Sequence, residues 1–156
     1  MTIIDGKLLA ENLRHKIANE VRQFSRPPGL AVILVGDDPS SQVYVRNKTK
    51  ACVEVGFYSD QIHKSANITQ EELLSEVQRL NDNKTIDGIL VQLPLPKHID
   101  KQKVIEAIAP TKDVDGFHPV NVGNLSSGYE STVPCTPLGC YILIKKFEKN
   151  LCGKKA

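Results

Sequence analysis

The stretch Leu30-Ala-Val-Ile-Leu-Val-Gly-Asp-Asp-Pro39 decides the predicted fold class of this chain. Its first six residues are continuously apolar, which is typical of a β-strand that is covered on both faces. Gly36 and the two aspartates turn the chain, and Pro39 with the serines after it suits the first turn of a helix. The stretch therefore predicts a strand, a short loop and a helix that ends near Gly56, a good residue for a helix C-terminus.

Apolar patterning predicts the same alternation on both sides of this unit. Thr69-Gln-Glu-Glu72 has the form of a capping box, and Leu73, Val77 and Leu80 follow it as one apolar stripe. The other predicted elements are helices over 7–24, 101–108 and 136–149 and strands over 57–64 and 89–93. Strands that alternate with helices predict an α/β fold: an open, mostly parallel sheet with flanking helices, in three layers and doubly wound.

The segment 110–134 differs from the rest, because it has no clear period and is rich in Gly, Pro, Asp and Asn. Loops of this length inside a compact domain are usually functional or disordered. We expect an ordered functional loop here, with Val114, Phe117, Val120 and Val122 as its buried anchors.

Composition excludes several classes of protein. A length of 156 residues predicts one ordinary domain with a sizeable core. A net charge of +2 without a basic block argues against nucleic-acid partners and a membrane surface. No apolar run approaches the roughly 20 residues that a spanning helix needs, and the N-terminus does not resemble a signal peptide, so the expected location is the cytoplasm.

The four cysteines show no Cys-x-x-Cys spacing. We therefore expect free thiols, with neither a zinc site nor any other metal.

Polar residues that could take part in catalysis or ligand binding converge at the predicted carboxyl ends of the strands, where open α/β sheets bind ligands. Tyr44 and Lys48 follow the first strand and lie four residues apart, so they share one face of the predicted helix. Gln92 ends the third strand, and Asp115 lies in the long loop. Together these four residues can form a proton-handling site.

The residue types suggest how such a site would divide its work. The amide oxygen of Gln92 can accept a hydrogen bond from the Lys48 ammonium without adding charge, and the Tyr44 hydroxyl can donate or accept one. Asp115 fits better as a ligand-binding group that accepts the paired N–H donors of an amide or aminopyrimidine edge. The alternatives are structural: a solvated helix face for Tyr44 and Lys48, a satisfied backbone group at Gln92, and a turn at Asp115.

Five other residues have plainer interpretations. We expect Asp113 to be structural, His118 to pack within the loop, His63 and His98 to lie on the surface, and Cys135 to be a small buried residue.

Four motifs in register carry a resemblance over essentially the whole chain. They are Ser41-Gln-Val-Tyr-Val-Arg-Asn-Lys48, Val91-Gln-Leu-Pro-Leu-Pro96, Pro110-Thr-Lys-Asp-Val-Asp-Gly116 and Pro134-Cys-Thr-Pro137. In this combination the chain resembles the N-terminal domain of the bifunctional methylenetetrahydrofolate dehydrogenase/methenyltetrahydrofolate cyclohydrolase family.

The resemblance implies the interconversion of 5,10-methylene-, 5,10-methenyl- and 10-formyltetrahydrofolate in one-carbon metabolism, with NADP as the hydride acceptor. It implies that Lys48 is the catalytic lysine, that Tyr44 orients it and positions the folate, and that Gln92 tunes it. Asp115 would bind the aminopyrimidine edge of the pterin. The residues expected to contact the folate are Tyr44, Lys48, Val91, Gln92, Leu93 and Asp115.

The resemblance also implies a division of the chain. Residues 1–134 would form the folate-binding catalytic domain, 135–150 an inter-domain helix with an exposed apolar face, and 151–156 the start of a Rossmann domain for NADP. The chain itself has no Gly-rich phosphate loop, because Gly36-Asp37-Asp38 is not a Gly-x-Gly-x-x-Gly element. The resemblance also implies a homodimer, the usual assembly of family members. The alternatives are a folate-binding module without turnover and an α/β interaction domain whose motif match is accidental.

Overall fold

The computed structural model describes residues 4–148 and 150–154 and has the predicted α/β architecture. Its helices are α1 (Gly6–Val21), α2 (Pro39–Val55), α3 (Gln70–Asp82), α4 (Lys101–Ala107), α5 (Pro119–Ser126) and α6 (Cys135–Phe147), with a 3-10 turn at Pro110–Lys112. Its strands are β1 (Gly29–Val35), β2 (Tyr58–Lys64) and β3 (Gly88–Val91). The predicted helix end at Lys149 and the last two residues, 155–156, lie outside the described part of the chain.

The three strands form one parallel sheet in the order β2-β1-β3. Leu30 pairs with Ser59 of β2 on one side and with Gly88 of β3 on the other. The central strand β1 is thus paired along both edges, and its continuously apolar sequence follows from the packing on both of its faces.

Helices cover both faces of the sheet and create the predicted three layers. On one face, Ile33 and Ile89 pack with the α3 stripe and with Val104 of α4. On the other face, Val32, Leu34 and Leu90 pack against Val45 of α2. The core therefore consists of two apolar layers, one on each side of β1.

Local signals begin the two central helices where the sequence predicts. Asp38 accepts a hydrogen bond from the Ser41 amide at 2.7 Å to start α2, and Gly56 ends that helix in the left-handed region at φ 87°. The capping box of α3 is present, because Thr69 and Glu72 each accept a hydrogen bond from the other's backbone amide. The α3 stripe, Leu73, Val77 and Leu80, is fully buried. These interactions fix α2 and α3 relative to the sheet.

The prediction for 110–134 is partly wrong. The segment is ordered, but it contains α5. Val114 is half-buried and packs against the β1–α2 layer, whereas Phe117, Val120 and Val122 are 44%, 49% and 50% exposed. They are not the anchors, because buried polar contacts hold this segment instead.

One further burial prediction is wrong. The Cys135 side chain is exposed rather than buried, because it begins α6, a helix without a buried residue. The first helix is also shorter than predicted, because α1 ends at the buried residue Val21 and Phe24 lies after it, exposed.

The apolar side of α6 is exposed, as the sequence predicts for that helix. Its exposed apolar side chains are Leu138, Tyr141, Ile144 and Phe147. Within the described ranges, no helix has both the length and the apolar character that crossing a bilayer requires.

Candidate active site

The candidate site lies beyond the carboxyl ends of β1 and β3, which are neighbours in the sheet. β1 leads into α2, which carries Lys48, and β3 leads directly into Gln92. The Gln92 backbone amide donates to the Ile33 carbonyl at 2.8 Å, so the glutamine is held by a last hydrogen bond to β1. The sheet itself therefore sets the position of this side chain.

Lys48 and Gln92 are in direct contact. The Lys48 ammonium donates to Gln92 Oε1 at 2.9 Å, although the residues are 44 positions apart. The other end of the amide is also held, because Gln92 Nε2 donates to the Leu93 carbonyl at 2.8 Å. This second bond keeps the amide oxygen directed at the lysine, and the acceptor beside the lysine is neutral.

Asp115 supplies a carboxylate near this pair. It is half-buried, and in the described part of the chain no donor is hydrogen-bonded to its carboxylate oxygens. Burial raises the pKa of the Asp115 carboxyl, the positive charge of Lys48 opposes that change, and the negative charge of Asp113 adds to it. Asp115 thus has acceptor oxygens free for a ligand and lies within electrostatic range of Lys48.

Asp113, two residues earlier, has a different environment. Its side chain is 4% exposed and accepts hydrogen bonds from the Gly116 amide at 3.1 Å, the His118 amide at 2.9 Å and Asn121 Nδ2 at 2.9 Å. These bonds occupy the carboxylate. Asp113 therefore organises the loop, as its structural interpretation predicts.

The three histidines considered in the sequence make backbone contacts. His118 is buried and caps α5, because its Nδ1 accepts from the Val120 amide at 3.1 Å. His63 Nε2 lies 2.9 Å from the Gly36 carbonyl, and His98 Nε2 lies 2.9 Å from the Ile68 carbonyl. Their geometry agrees with packing and surface roles.

An apolar pocket lies beside Asp115, between β3 and α4. Val91 and Leu93, both predicted to contact ligand, line it, together with Val104, Phe117 and the aliphatic chain of Lys101. Two carboxylates, those of Asp113 and Asp115, lie at the wall of this pocket, and the rest of its lining is largely apolar.

Tyr44 lies one helical turn before Lys48, but its ring is 62% exposed. Within residues 4–148 and 150–154, its hydroxyl has no hydrogen bond. Its predicted role in orienting Lys48 and positioning a ligand stays a prediction. The same described residues contain no cluster of side chains suited to a metal ion.

Sequence reasoning missed two residues that shape the site, Asn121 and Lys112. Asn121 Nδ2 joins Asp113 to the Pro110 carbonyl, and Lys112 anchors the same loop to the end of α3. Both lie within or just after the third motif, and their proximity to two aspartates is the one signal that could have singled them out.

This three-layer α/β domain matches one family of folate enzymes. The model of the tetrahydrofolate dehydrogenase/cyclohydrolase catalytic domain matches residues 4–115. The chain belongs to this family, and the family assignment made from the four motifs is confirmed.

Curated relatives and solved structures agree with this assignment. The chain is 58% identical over its whole length to the bifunctional protein FolD of Pelagibacter ubique (strain HTCC1062), of which it covers 57%. It is 57% identical over 99% of its length to FolD of Ruthia magnifica subsp. Calyptogena magnifica, of which it covers 56%. The chain thus spans little more than half the length of these relatives.

Two crystal structures superpose closely. One is the FolD methylenetetrahydrofolate dehydrogenase/cyclohydrolase of Campylobacter jejuni, with a TM-score of 0.90 and 49% identity, over 95% of this chain and 54% of that one. The other is the Trypanosoma brucei enzyme complexed with NADP cofactor and inhibitor, with a TM-score of 0.93 and 40% identity, over 98% of this chain and 54% of that one.

Proposed function

We propose that this domain binds a reduced folate and carries out the hydrolysis of 5,10-methenyltetrahydrofolate to 10-formyltetrahydrofolate. It would do so as part of a bifunctional enzyme that also oxidises 5,10-methylenetetrahydrofolate. One observation carries the proposal: the Lys48 ammonium rests on a neutral amide oxygen at 2.9 Å, with the free carboxylate of Asp115 nearby.

The hydrolytic step needs one group that can take a proton and return it. The methenyl carbon belongs to a cationic amidinium, and water adds to it with loss of one proton. The bond from that carbon to N5 then breaks, its electron pair goes to N5, and N5 takes up a proton. The hydroxyl formed from water loses its remaining proton to solvent and becomes the formyl oxygen on N10, so the hydrolysis releases one proton overall. Lys48 as the amine accepts the first proton and as the ammonium donates the second.

Gln92 suits this cycle because it holds Lys48 in both protonation states without adding charge. A carboxylate in its place would stabilise the ammonium and hinder proton uptake. Crowding of positive charge near the amidinium would be equally unfavourable. The two hydrogen bonds of the Gln92 amide keep its oxygen, rather than its NH₂ group, towards the lysine.

The folate would be oriented by the remaining site residues. Asp115 accepts the paired N–H donors of the aminopyrimidine edge, and Val91 and Leu93 border the pterin ring. Tyr44, exposed on α2, contributes an aromatic surface to the outer part of the ligand.

The start of the helix after β1 does not suit the phosphates of NADP. The loop after β1 resembles a phosphate site in its position only, because Asp38 already caps the start of α2 through the Ser41 amide. A carboxylate at that helix end repels a pyrophosphate instead of leaving amides to bind it. We therefore propose that another part of the whole enzyme holds the NADP of the dehydrogenase reaction.

Several broader features belong to the same proposal. Residues 1–134 form the folate-binding catalytic domain, 135–150 an inter-domain helix, and 151–156 the start of an NADP-binding domain. The protein works in the cytoplasm as a homodimer, in one-carbon metabolism that supplies purine biosynthesis. The exposed apolar side of α6 supports a further contact at that helix.

A hydrolysis assay with a matched pair of lysine variants tests this function. The chain is mixed with 5,10-methenyltetrahydrofolate, and loss of its absorbance is followed above the buffer rate. Lys48→Met should abolish the protein-dependent loss while circular dichroism stays unchanged. Lys50→Met, an exposed lysine on the same helix, should leave the rate unaltered.

The outcomes separate the possible functions. Turnover by the Lys48→Met variant equal to that of the unaltered chain contradicts the role of Lys48. Saturable binding without turnover in the unaltered chain indicates a folate-binding module. Neither binding nor turnover contradicts the proposed function of this chain.

A further inference from the structure

Lys112 makes an unusual set of contacts for a lysine. Its ammonium donates three hydrogen bonds to main-chain carbonyls at the end of α3: Leu80 at 3.0 Å, Asn81 at 2.6 Å and Asn83 at 2.9 Å. These bonds use all three donors of the ammonium. The Leu80 and Asn83 carbonyls each also accept a backbone amide, from Asn83 and Ile86, so Lys112 adds a second donor to these two and pairs the Asn81 carbonyl. A positive charge is also favourable at a helix C-terminus.

Asn81 reinforces the same connection from the helix side. Its side chain donates to the Ala107 carbonyl at 2.7 Å and accepts from the Ala109 amide at 2.9 Å. The end of α3 is therefore bound both to the end of α4 and to the start of the loop that follows. Because the α3 stripe is fully buried, this helix end is a rigid anchor.

Beyond Lys112, the loop is fixed again by Asp113 and Val114. Asp113 binds the Gly116 and His118 amides, and a side chain at Gly88 would lie only 2.4 Å from Val114 Cγ1. The absence of that side chain lets Val114 lie directly against β3. Asp115 thus follows two consecutive fixed residues, and its carboxylate has no donor of its own in the described ranges to hold it in place.

We propose that Lys112 is a positioning residue that holds the Asp115 carboxylate in place for the aminopyrimidine edge of the folate. This inference rests on the proposed function, and Lys112 itself does not touch the ligand. Its three bonds fix the loop three residues before Asp115, so that the carboxylate is aligned before ligand arrives. Pre-alignment of this kind lowers the cost of binding.

The experiment compares Lys112→Met with Lys103→Met, an exposed lysine of α4 that serves as the control. Hydrogen exchange at the Gly116 and His118 amides reports whether the loop is held, because both amides bond to Asp113. We expect exchange about tenfold faster in Lys112→Met and a Kd for 5,10-methenyltetrahydrofolate about tenfold weaker, since a set of charged hydrogen bonds is lost. Lys103→Met should change neither quantity.

A second background distinguishes positioning from a general loss of stability. In Asp115→Asn, adding Lys112→Met should weaken folate binding by less than twofold, because the two residues act through one contact. An equal loss of affinity in both backgrounds overturns the inference. If Lys112→Met does not fold, Lys112→Gln, which keeps two donors, replaces it. The changes in exchange rate and in Kd should then have the same direction and be smaller.

The two proposals fail in different ways. Unchanged exchange at Gly116 and His118 in the variant overturns the role of Lys112, whatever the ligand does. Faster exchange with unaltered Kd also overturns it. A chain that binds no folate even when unaltered contradicts the proposed function, and the exchange data then still decide whether Lys112 holds the loop.

Discussion

Asp113 and Asp115 should respond in opposite ways to replacement by asparagine. The substitution keeps the shape of each side chain and removes only its charge. Asp113 is buried with three N–H donors on its oxygens, whereas Asp115 is half-buried with none among the described residues. The first change therefore removes a satisfied acceptor, and the second removes a carboxylate that folding has partly desolvated.

The magnitudes follow from these contacts. In Asp113→Asn the new NH₂ group faces donors, and at least one buried N–H loses its partner, which costs about 3 kcal/mol. For a domain of this size that lowers Tm by about 10 °C. In Asp115→Asn the desolvation cost disappears, and we expect a gain of about 1 kcal/mol, or about 3 °C, at neutral pH, as replacement of a strained functional group often gives.

The gain in Asp115→Asn should depend on pH in a defined direction. Burial raises the pKa of this carboxyl in the folded state, so the folded chain binds its proton more tightly than the unfolded chain does. Below the usual aspartate value of about 3.9, both states are protonated and the variant gains nothing. The stability gained by Asp115→Asn increases as pH rises and is complete above the raised folded-state pKa.

Urea unfolding at pH 4 and pH 7.5 measures the stabilities of the two variants and their pH dependence, and folate binding is measured at pH 7.5. Asp115→Asn should be more stable than the unaltered chain at pH 7.5, less distinct from it at pH 4, and weak in folate binding. A loss of stability at pH 7.5, or a gain that is the same at both pH values, would refute the reasoning about desolvation. Asp113→Asn provides the contrast within the same loop.

Two further predictions concern stability away from the site. A side chain at Gly29 would lie 1.9 Å from the Thr85 carbonyl oxygen, so Gly29→Ala should prevent stable folding. In α6, nothing would lie within 4 Å of a side chain at Gly139, so Gly139→Ala should raise the free energy of unfolding by about 0.5–1 kcal/mol. Equal thermal stability of the two variants would contradict this prediction. Thr69→Ala removes one half of the α3 capping box and should lower the free energy of unfolding in urea by about 1 kcal/mol. Ser65→Ala should lower it by less, because the Ser65 hydroxyl accepts a hydrogen bond from an exposed backbone amide. The reverse order would contradict the capping role of Thr69.

Elements with local signals could be predicted closely from the sequence. The capping box of α3, and the proline and glycine that bound α2, act within a few residues, so their effect does not depend on the rest of the fold. α5 was missed because it has eight residues, contains Gly123 and buries only Asn121, so it has no apolar period. Its start depends on a histidine cap that only the folded loop provides.

The location of the site could be predicted from the sequence, but the contacts that support it could not. The strand order brings Gln92 to Lys48, and the rule that ligands bind at strand ends was enough to group them. Apolar anchors were expected at Phe117, Val120 and Val122, because hydrophobicity alone does not distinguish a buried side chain from an exposed one. The role of Lys112 depends on where α3 ends in space, and no local pattern contains that information.

The two edges of the sheet are protected by different parts of the chain. Along β2, the open edge, polar and charged residues such as Asp60, Gln61 and Lys64 discourage pairing with another chain. The edge of β3 is covered by the Asp113 segment, which bridges to Ile89. The strand it covers and the residues that follow, Gly88-Ile-Leu-Val-Gln-Leu93, contain no charge, a composition prone to aggregation when exposed.

The loop that presents Asp115 is therefore also the cover of an aggregation-prone strand. Substitutions that loosen it should precipitate the protein as well as weaken ligand binding. Selection against aggregation and selection for a precise carboxylate act on the same few residues, so solubility screens of loop variants would enrich for intact sites.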